Sequence, residues 1–187
     1  MGCHHGYLDA GYAYAFDNGR VPPNPPEPNV APPQIPGPGA GDIVSFDAVR
    51  TWMTRVYGYG FPEAEYRATT QPRDDGRPGA PRSSAAVEAM FTGFEKYQAI
   101  RAPILAIFVV PQTMGPEFSE TTDPDLRARV EAWTKYNSEI ASARVRAFTE
   151  GLPQARVVQL ANASHYLFLT NESDVLREIR SFIATLQ

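Results

Sequence analysis

Residues 104–110 read Ile-Leu-Ala-Ile-Phe-Val-Val, an unbroken apolar run that lies between Pro103 and Pro111. The run is too short for a typical helix, whereas a strand buried on both faces is apolar at every position. Strands of this kind occur mainly in parallel sheets whose two faces are covered by helices. The run therefore predicts a central parallel strand.

The residues after this run predict a helix, a second strand and a final helix. Asp123 and Pro124 are typical of an N-cap and a first helical position, and Gly151 can end the long helix that follows. Residues 156–160 predict a short strand, and Asn171 predicts the N-cap of the last helix. The apolar positions of the two helices are Leu126, Val130, Trp133 and Ile140, and then Val175, Ile179, Phe182, Ile183 and Leu186. The order strand, helix, strand, helix indicates α/β architecture.

The upstream half of the chain is less regular. Half of the 18 prolines fall between Pro22 and Pro38, which predicts an extended loop because proline fixes φ and lacks an N–H donor. A helix is predicted from an N-cap at Ser45 to a stop at Gly58, residues 71–82 are expected to be loop, and a second helix is expected from Ser84. The apolar positions of these two helices are Phe46, Val49, Trp52, Met53 and Val56, and then Val87, Met90, Phe91, Phe94 and Tyr97.

Composition limits the class of protein. A chain of 187 residues with 43% hydrophobic and 20% charged residues fits one globular domain. A net charge of −4 gives no basic footprint for nucleic acid. With no bilayer-length apolar run and no signal-peptide core, we expect no membrane partner and, by default, a cytoplasmic protein.

Cysteine and histidine usage argues against a metal or other cofactor. Cys3 is the only cysteine, so an intrachain disulfide is excluded and a cysteine-based zinc site lacks sulfur ligands. His4 and His5 stand beside Cys3, but three candidates at a terminus with no distant partner are typical of a terminal tail. We expect no bound metal and no cofactor.

Two stretches carry a resemblance to a known family. Residues 102–110 read Ala-Pro-Ile-Leu-Ala-Ile-Phe-Val-Val, and residues 155–169 read Ala-Arg-Val-Val-Gln-Leu-Ala-Asn-Ala-Ser-His-Tyr-Leu-Phe-Leu. With the long helix between them, they resemble the seventh and eighth strands of an α/β-hydrolase, over most of residues 98–187. Residues 6–10, Gly-Tyr-Leu-Asp-Ala, resemble the end of the sixth strand.

The resemblance implies a partial α/β-hydrolase fold. Residues 1–11 hold the end of a core strand, residues 12–97 form a proline-rich loop and a helical cap, and residues 98–187 form the C-terminal core of one domain. The expected sheet is a mostly parallel remnant of three strands. Such a remnant would leave its first strand with an unpaired edge and would bare the apolar faces of residues 104–110, so we expect self-association or a partner.

The resemblance also implies a catalytic histidine. His165 falls on the loop after the last strand, where this family presents its general base, and an imidazole titrates near neutral pH. An acid must orient that base, but residues 111–115, Pro-Gln-Thr-Met-Gly, hold no carboxylate at the usual place. Asp9, after the sixth strand, is favoured over Glu117, although Asp9 is equally well read as a turn or helix cap.

The nucleophile of a serine hydrolase is missing. No serine has the G-x-S-x-G pattern, and Cys3 stands too close to Asp9 for the helix that follows a nucleophile elbow. We therefore expect part of an enzyme for ester or related acyl compounds that is inactive alone, as a truncated product or a pseudoenzyme. Five aromatic residues are candidates for pocket or core: Tyr166, Phe168, Trp52, Tyr57 and Phe61.

A hypothesis from another class makes the chain an interaction protein. Residues 22–26, Pro-Pro-Asn-Pro-Pro, contain overlapping P-x-x-P spacings that suit SH3-like grooves. Arg20 is the only nearby basic residue, and stiff proline-rich segments also serve as connectors. Both readings of the segment stay open at this point.

Overall fold

The protein has mixed α/β architecture in a computed structural model that describes residues 5–8, 24–35, 37–82 and 102–186. The helix expected from Ser84 lies outside these residues. A 3-10 turn covers Ala40–Ile43. The helices and strands are β1 His5–Leu8, α1 Phe46–Tyr57, α2 Glu63–Thr69, β2 Thr70–Pro72, β3 Pro78–Pro81, β4 Ile104–Val109, α3 Pro116–Ser119, α4 Pro124–Gly151, β5 Arg156–Leu160, α5 Leu167–Thr170 and α6 Glu172–Ala184.

The main sheet has three strands in the order β1-β4-β5, and both pairs are parallel. His5 lies opposite Ile104, and Leu105 lies opposite Arg156. The parallel strand predicted for residues 104–110 is confirmed, and the strand predicted for residues 156–160 has the expected bounds. Within the described residues β4 is the one neighbour of β1, so self-association through the β1 edge stays a prediction.

Both faces of β4 are buried, because α4 and α6 pack on opposite sides of it. Alternate residues of a strand point to opposite faces. One face of β4 joins residues from the β5 loop, α5 and α6: Leu105, Ile107, Val109, Ala163, Leu167, Val175 and Phe182. The other face joins the C-terminal part of α4: Ile104, Ala106, Phe108, Val145, Phe148 and Leu152. The prediction that the apolar faces of residues 104–110 would be bared is therefore wrong.

Helix α1 begins and ends as its sequence predicts. The Ser45 side chain accepts a hydrogen bond from Ala48 N at 3.0 Å, which satisfies an orphan donor of the first turn. At the other end Gly58 has φ +80° and donates its N–H to Thr54 O. The five predicted apolar residues are all buried. Around them lie Ile43, Tyr57, Tyr59, Phe61 and Tyr66.

The two long helices of the C-terminal half agree with prediction in extent but differ in detail. Asp123 caps α4 as expected, and its carboxylate accepts from Asp125 N and Leu126 N. The buried residues of α4 are Val145 and Phe148, because only its C-terminal part covers the sheet. In α6, Ile183 is 51% exposed, and Asn171 stands at the N-cap without a capping side-chain bond. Its side chain instead accepts from Thr170 Oγ1 at 2.8 Å.

Residues 71–82 are a hairpin rather than the expected loop. β2 and β3 pair antiparallel, with Thr70 opposite Pro81. The turn between them is closed by Arg73 N donating to Arg77 O at 2.8 Å, and Gly76 has the φ of +79° that the reversal needs. A ribbon of two short strands has outer edges where proline costs no hydrogen bond, so the prolines do not prevent pairing.

Candidate functional site

The loops that follow β4 and β5 leave the same edge of the sheet. Both strands run in the same direction, so their carboxyl ends are neighbours. His165 comes five residues after Leu160, the last residue of β5. Asp9 follows the last residue of β1 in the sequence and lies outside the described residues. His165 therefore belongs to the carboxyl-end edge of the sheet, the edge at which open α/β sheets bind ligands.

Backbone hydrogen bonds join these two loops beyond the ends of their strands. Val110 N donates to Leu160 O at 3.1 Å, and Asn162 N donates to Pro111 O at 3.0 Å. Further out, Thr113 N donates to Ala163 O at 2.9 Å. Asn162 has a φ of +57°, a conformation that asparagine tolerates better than most residues. The position of the His165 turn is therefore tied to the β4 loop.

Ser164 shapes the turn that carries His165. Its buried hydroxyl accepts a hydrogen bond from Tyr166 N at 3.1 Å and lies 3.3 Å from Thr170 Oγ1. A serine that bonds the backbone two residues on forms a local turn. His165, between Ser164 and Tyr166, is exposed. Ser164 was not among the residues predicted from the sequence.

His165 lines a cleft of about 200 Å³ at this edge of the sheet. The lining includes residues of the β4 loop, of α3, and of the end of α1 with the loop after it: Gln112, Thr113, Met114, Phe118, Tyr57 and Tyr59. It also includes residues of α4, the β5 loop and the proline-rich segment: Thr134, Asn137, Ser164, His165 and Ile35. The cleft therefore collects side chains from six parts of the chain.

Aromatic rings connect His165 to the residues after α1. The ring centroids of His165 and Tyr166 are 5.0 Å apart, and the planes meet at 76°. Tyr166 in turn contacts Tyr59 at 5.0 Å and Phe61 at 4.9 Å. Edge-to-face contacts of this kind add to the stability gained from burial. These contacts join the β5 loop to the residues after α1.

Burial raises the pKa of Tyr59 above its ordinary value, and the neighbouring phenols of Tyr166 and Tyr57 raise it further. The Tyr59 hydroxyl is therefore neutral at physiological pH. It offers the cleft a hydrogen-bonding group without a charge.

The predicted aromatic candidates divide between pocket and core. Tyr57 lines the cleft, and Trp52 is buried in the core under α1. Tyr166 and Phe61 contact each other and do not line the cleft, while Phe168 is 44% exposed. Tyr59 was missed, although the alternation of Tyr57, Tyr59 and Phe61 is a visible signal. Thr134 and Asn137 gave no signal, because nothing in the sequence shows which face of α4 meets the loops.

The acid expected beside His165 is not among the side chains that line the cleft. Within the described part of the chain, the cleft lining contains no aspartate or glutamate. Glu117 is exposed on α3, next to Phe118, which does line the cleft. Asp9 lies outside the described residues, so the choice between the two carboxylates stays a prediction.

The remaining expectations concern metals and membranes. Cys3 and His4 lie outside the described residues. Among the residues that the structure does describe, no group of three or more His, Cys, Asp or Glu side chains is placed to hold a metal ion. None of the helices seen in the described ranges combines the length and the apolar character needed to cross a bilayer.

Comparison of the chain with known protein families, with curated proteins and with solved structures found no match in any of the three.

Proposed function

We propose that the chain is the C-terminal part of an α/β-hydrolase that cleaves ester or related acyl compounds, with His165 as the general base. The observation that carries the proposal is the position of His165 in a cleft beyond the carboxyl end of a parallel strand. Ligands of open α/β sheets bind at this edge. The near-neutral pKa typical of imidazole suits it to take a proton from a nucleophile and return it to a leaving group.

The orienting acid in this proposal is Asp9. β1 and β5 are both neighbours of β4, so their carboxyl ends are separated by about 10 Å, twice the spacing of adjacent strands. An aspartate and a histidine side chain can together cover that distance. An acid in this place holds the imidazole in the tautomer that accepts the proton and stabilises the imidazolium that forms.

The nucleophile in this proposal comes from outside the sequence. The chain has no G-x-S-x-G pattern, and the Ser164 hydroxyl is engaged in the turn beneath His165. Without a nucleophile and oxyanion donors, the covalent route and the stabilisation of the tetrahedral intermediate are both lost, and each is worth orders of magnitude in rate. We therefore expect no turnover from the purified chain.

The test has a genetic step and an enzymatic step. The coding DNA directly upstream of Met1 should encode, in frame, a strand followed by G-x-S-x-G. The extended protein should hydrolyse phenyl acetate, and His165→Gln should lower kcat at least a hundredfold because the general base is gone. Activity that His165→Gln leaves intact would refute the proposal, and so would clear His165-dependent turnover by the unextended chain.

The acid is tested separately by NMR titration of the His165 ring. An opposite charge favours the protonated imidazole, so Asp9→Asn should shift the ring's titration to lower pH. Glu117→Gln is the matched control, since it removes one carboxylate charge from α3, which follows the β4 loop. A shift with Glu117→Gln and none with Asp9→Asn would give the role to Glu117.

A further inference from the structure

We infer that the His165 cleft binds a small uncharged aromatic compound of about one substituted ring, and that aryl esters or aryl amides are the substrate class. The binding part of this inference follows from the cleft itself. The substrate part rests on the function proposed above.

The volume of the cleft sets the size of the ligand. A cavity of about 150 Å³ inside a protein accommodates benzene, and this cleft has about 200 Å³. The difference leaves room for one small substituent on the ring. Drug-sized ligands occupy larger pockets, of roughly 300 Å³ or more. Two fused rings or a long acyl chain would therefore extend beyond the cleft.

The walls offer the contacts that an aromatic ring prefers. The rings of Tyr57 and Tyr59 both line the cleft, with centroids 5.8 Å apart. Phe118, which is 2% exposed, and Met114 also line it. Aromatic rings gain from offset and edge-to-face contacts, and a methionine sulfur packs favourably against a ring edge. These side chains favour a flat ring over a branched aliphatic group.

The uncharged polar groups of the described lining set the charge of the ligand. Among the described residues that line the cleft there is no Asp, Glu, Lys or Arg. Apart from the His165 imidazole and the tyrosine hydroxyls, the polar side chains are neutral amides and hydroxyls: Gln112, Thr113, Thr134, Asn137 and Ser164. An ion that leaves water without a partner of opposite charge pays a large desolvation cost, whereas a neutral ester or amide finds donors and acceptors here.

Because His165 lines the cleft, a ring bound there can be the aromatic part of an aryl ester substrate. His165 lines the same space as Met114 and Tyr59, so a ring held between the walls places its ester or amide linkage near the imidazole. In the proposed reaction the nucleophile forms a bond to the acyl carbon while its proton passes to the imidazole. The bond from the acyl carbon to the leaving oxygen or nitrogen then breaks, and the imidazole returns the proton to it.

Binding is tested on the full chain with benzamide as the probe, by following backbone amide shifts of residues 112–114. Benzamide should bind in the millimolar range or better, and benzoate, its charged analogue, at least tenfold more weakly. 2-Naphthamide should also bind at least tenfold more weakly, because its second ring exceeds the volume. No benzamide binding, or benzoate or 2-naphthamide binding as tightly, would overturn the inference.

Two tryptophan variants locate the site. Met114→Trp should fill the cleft and weaken benzamide binding at least tenfold. Leu176→Trp adds the same ring at an exposed position on α6 and should leave binding within twofold. Amide spectra that match those of the wild type show that each variant is folded. Unchanged binding by folded Met114→Trp would contradict the inference, and benzamide binding without His165-dependent hydrolysis by the extended protein would contradict only the proposed function.

Discussion

The indole Nε1 of Trp133 donates a hydrogen bond to the backbone carbonyl of Val30 at 3.0 Å, which joins α4 to the proline-rich segment 103 residues earlier in the chain. Pro33, in the same segment, is buried, and Ile35 lines the His165 cleft. Ile35 therefore brings the end of this segment to the cleft. The P-x-x-P hypothesis stays open, because Pro22 and Pro23 lie outside the described residues and Pro26 is exposed.

Trp133→Phe should loosen this segment. The change removes the donor to Val30 and keeps an aromatic ring, so the free energy of unfolding in urea should fall by about 1 kcal/mol. Hydrogen exchange at the amides of Val30 and Ile35 should become faster. Tyr136→Phe, which alters the ring packed against Trp133 without touching the bond, is the control. Equal exchange rates in wild type and Trp133→Phe would show that the bond does not hold the segment.

Gly115→Ala should be strongly destabilising. Gly115 has a φ of +93°, and an added Cβ would lie 2.6 Å from Val56 O and 2.9 Å from Tyr57 Cα. Both neighbours are backbone atoms that a rotamer change cannot move, so the loss should be on the order of 2–3 kcal/mol. Gly41→Ala, where nothing lies within 4 Å of the added carbon, should change stability by less than about 0.5 kcal/mol. Similar urea midpoints for the two variants would contradict this prediction.

Asp123→Ala should destabilise α4. The carboxylate accepts hydrogen bonds from Asp125 N at 2.9 Å and Leu126 N at 3.3 Å, and loss of such a cap costs about 1 kcal/mol. Asn171→Ala, at the N-cap of α6, removes no cap bond and should cost less. Thermal unfolding followed by circular dichroism compares the two. A larger loss for Asn171→Ala would mean that the cap assignments are reversed.

Tyr59→Phe should remove part of the alkaline loss of stability. The pKa of Tyr59 is raised in the folded state, so its neutral form contributes stability that is fully present below the ordinary tyrosine value of about 10. That contribution is lost as pH rises through this value toward the folded pKa, since the unfolded chain ionises first. Urea midpoints at about pH 8 and about pH 10.5 should therefore differ less in Tyr59→Phe than in wild type. Tyr136→Phe, which keeps Tyr59, should behave as wild type does.

The elements predicted correctly from the sequence are those that local signals determine. Ser45 and Gly58 delimit α1 because capping depends on a few neighbouring residues, and the apolar run of β4 requires cover on both faces whichever helices supply it. The prediction of a loop at residues 71–82 failed, because the pairing of β2 with β3 depends on the turn at Gly76 rather than on the composition of the strands.

The candidate site could be predicted only in part for the same reason. His165 was predicted from the resemblance, which puts it on the loop after the last strand, and that strand has the expected bounds. Thr134 and Asn137 were not identified, because their part in the cleft depends on how a helix of 28 residues lies across the loops. Tertiary packing decides which residues of a long helix reach a site. The apolar pattern of α4 identifies only the residues of the helix that can be buried.

Among the described residues, the two apolar clusters on opposite faces of β4 draw their buried members from residues 104–182. Bringing these members together means closing the connection between β4 and β5, where Leu105 lies opposite Arg156. Parallel pairing of this kind forms slowly, because the entropic cost of closing a long connection comes before the contacts that offset it. We therefore expect the pairing of β4 with β5 to limit the rate at which this core forms.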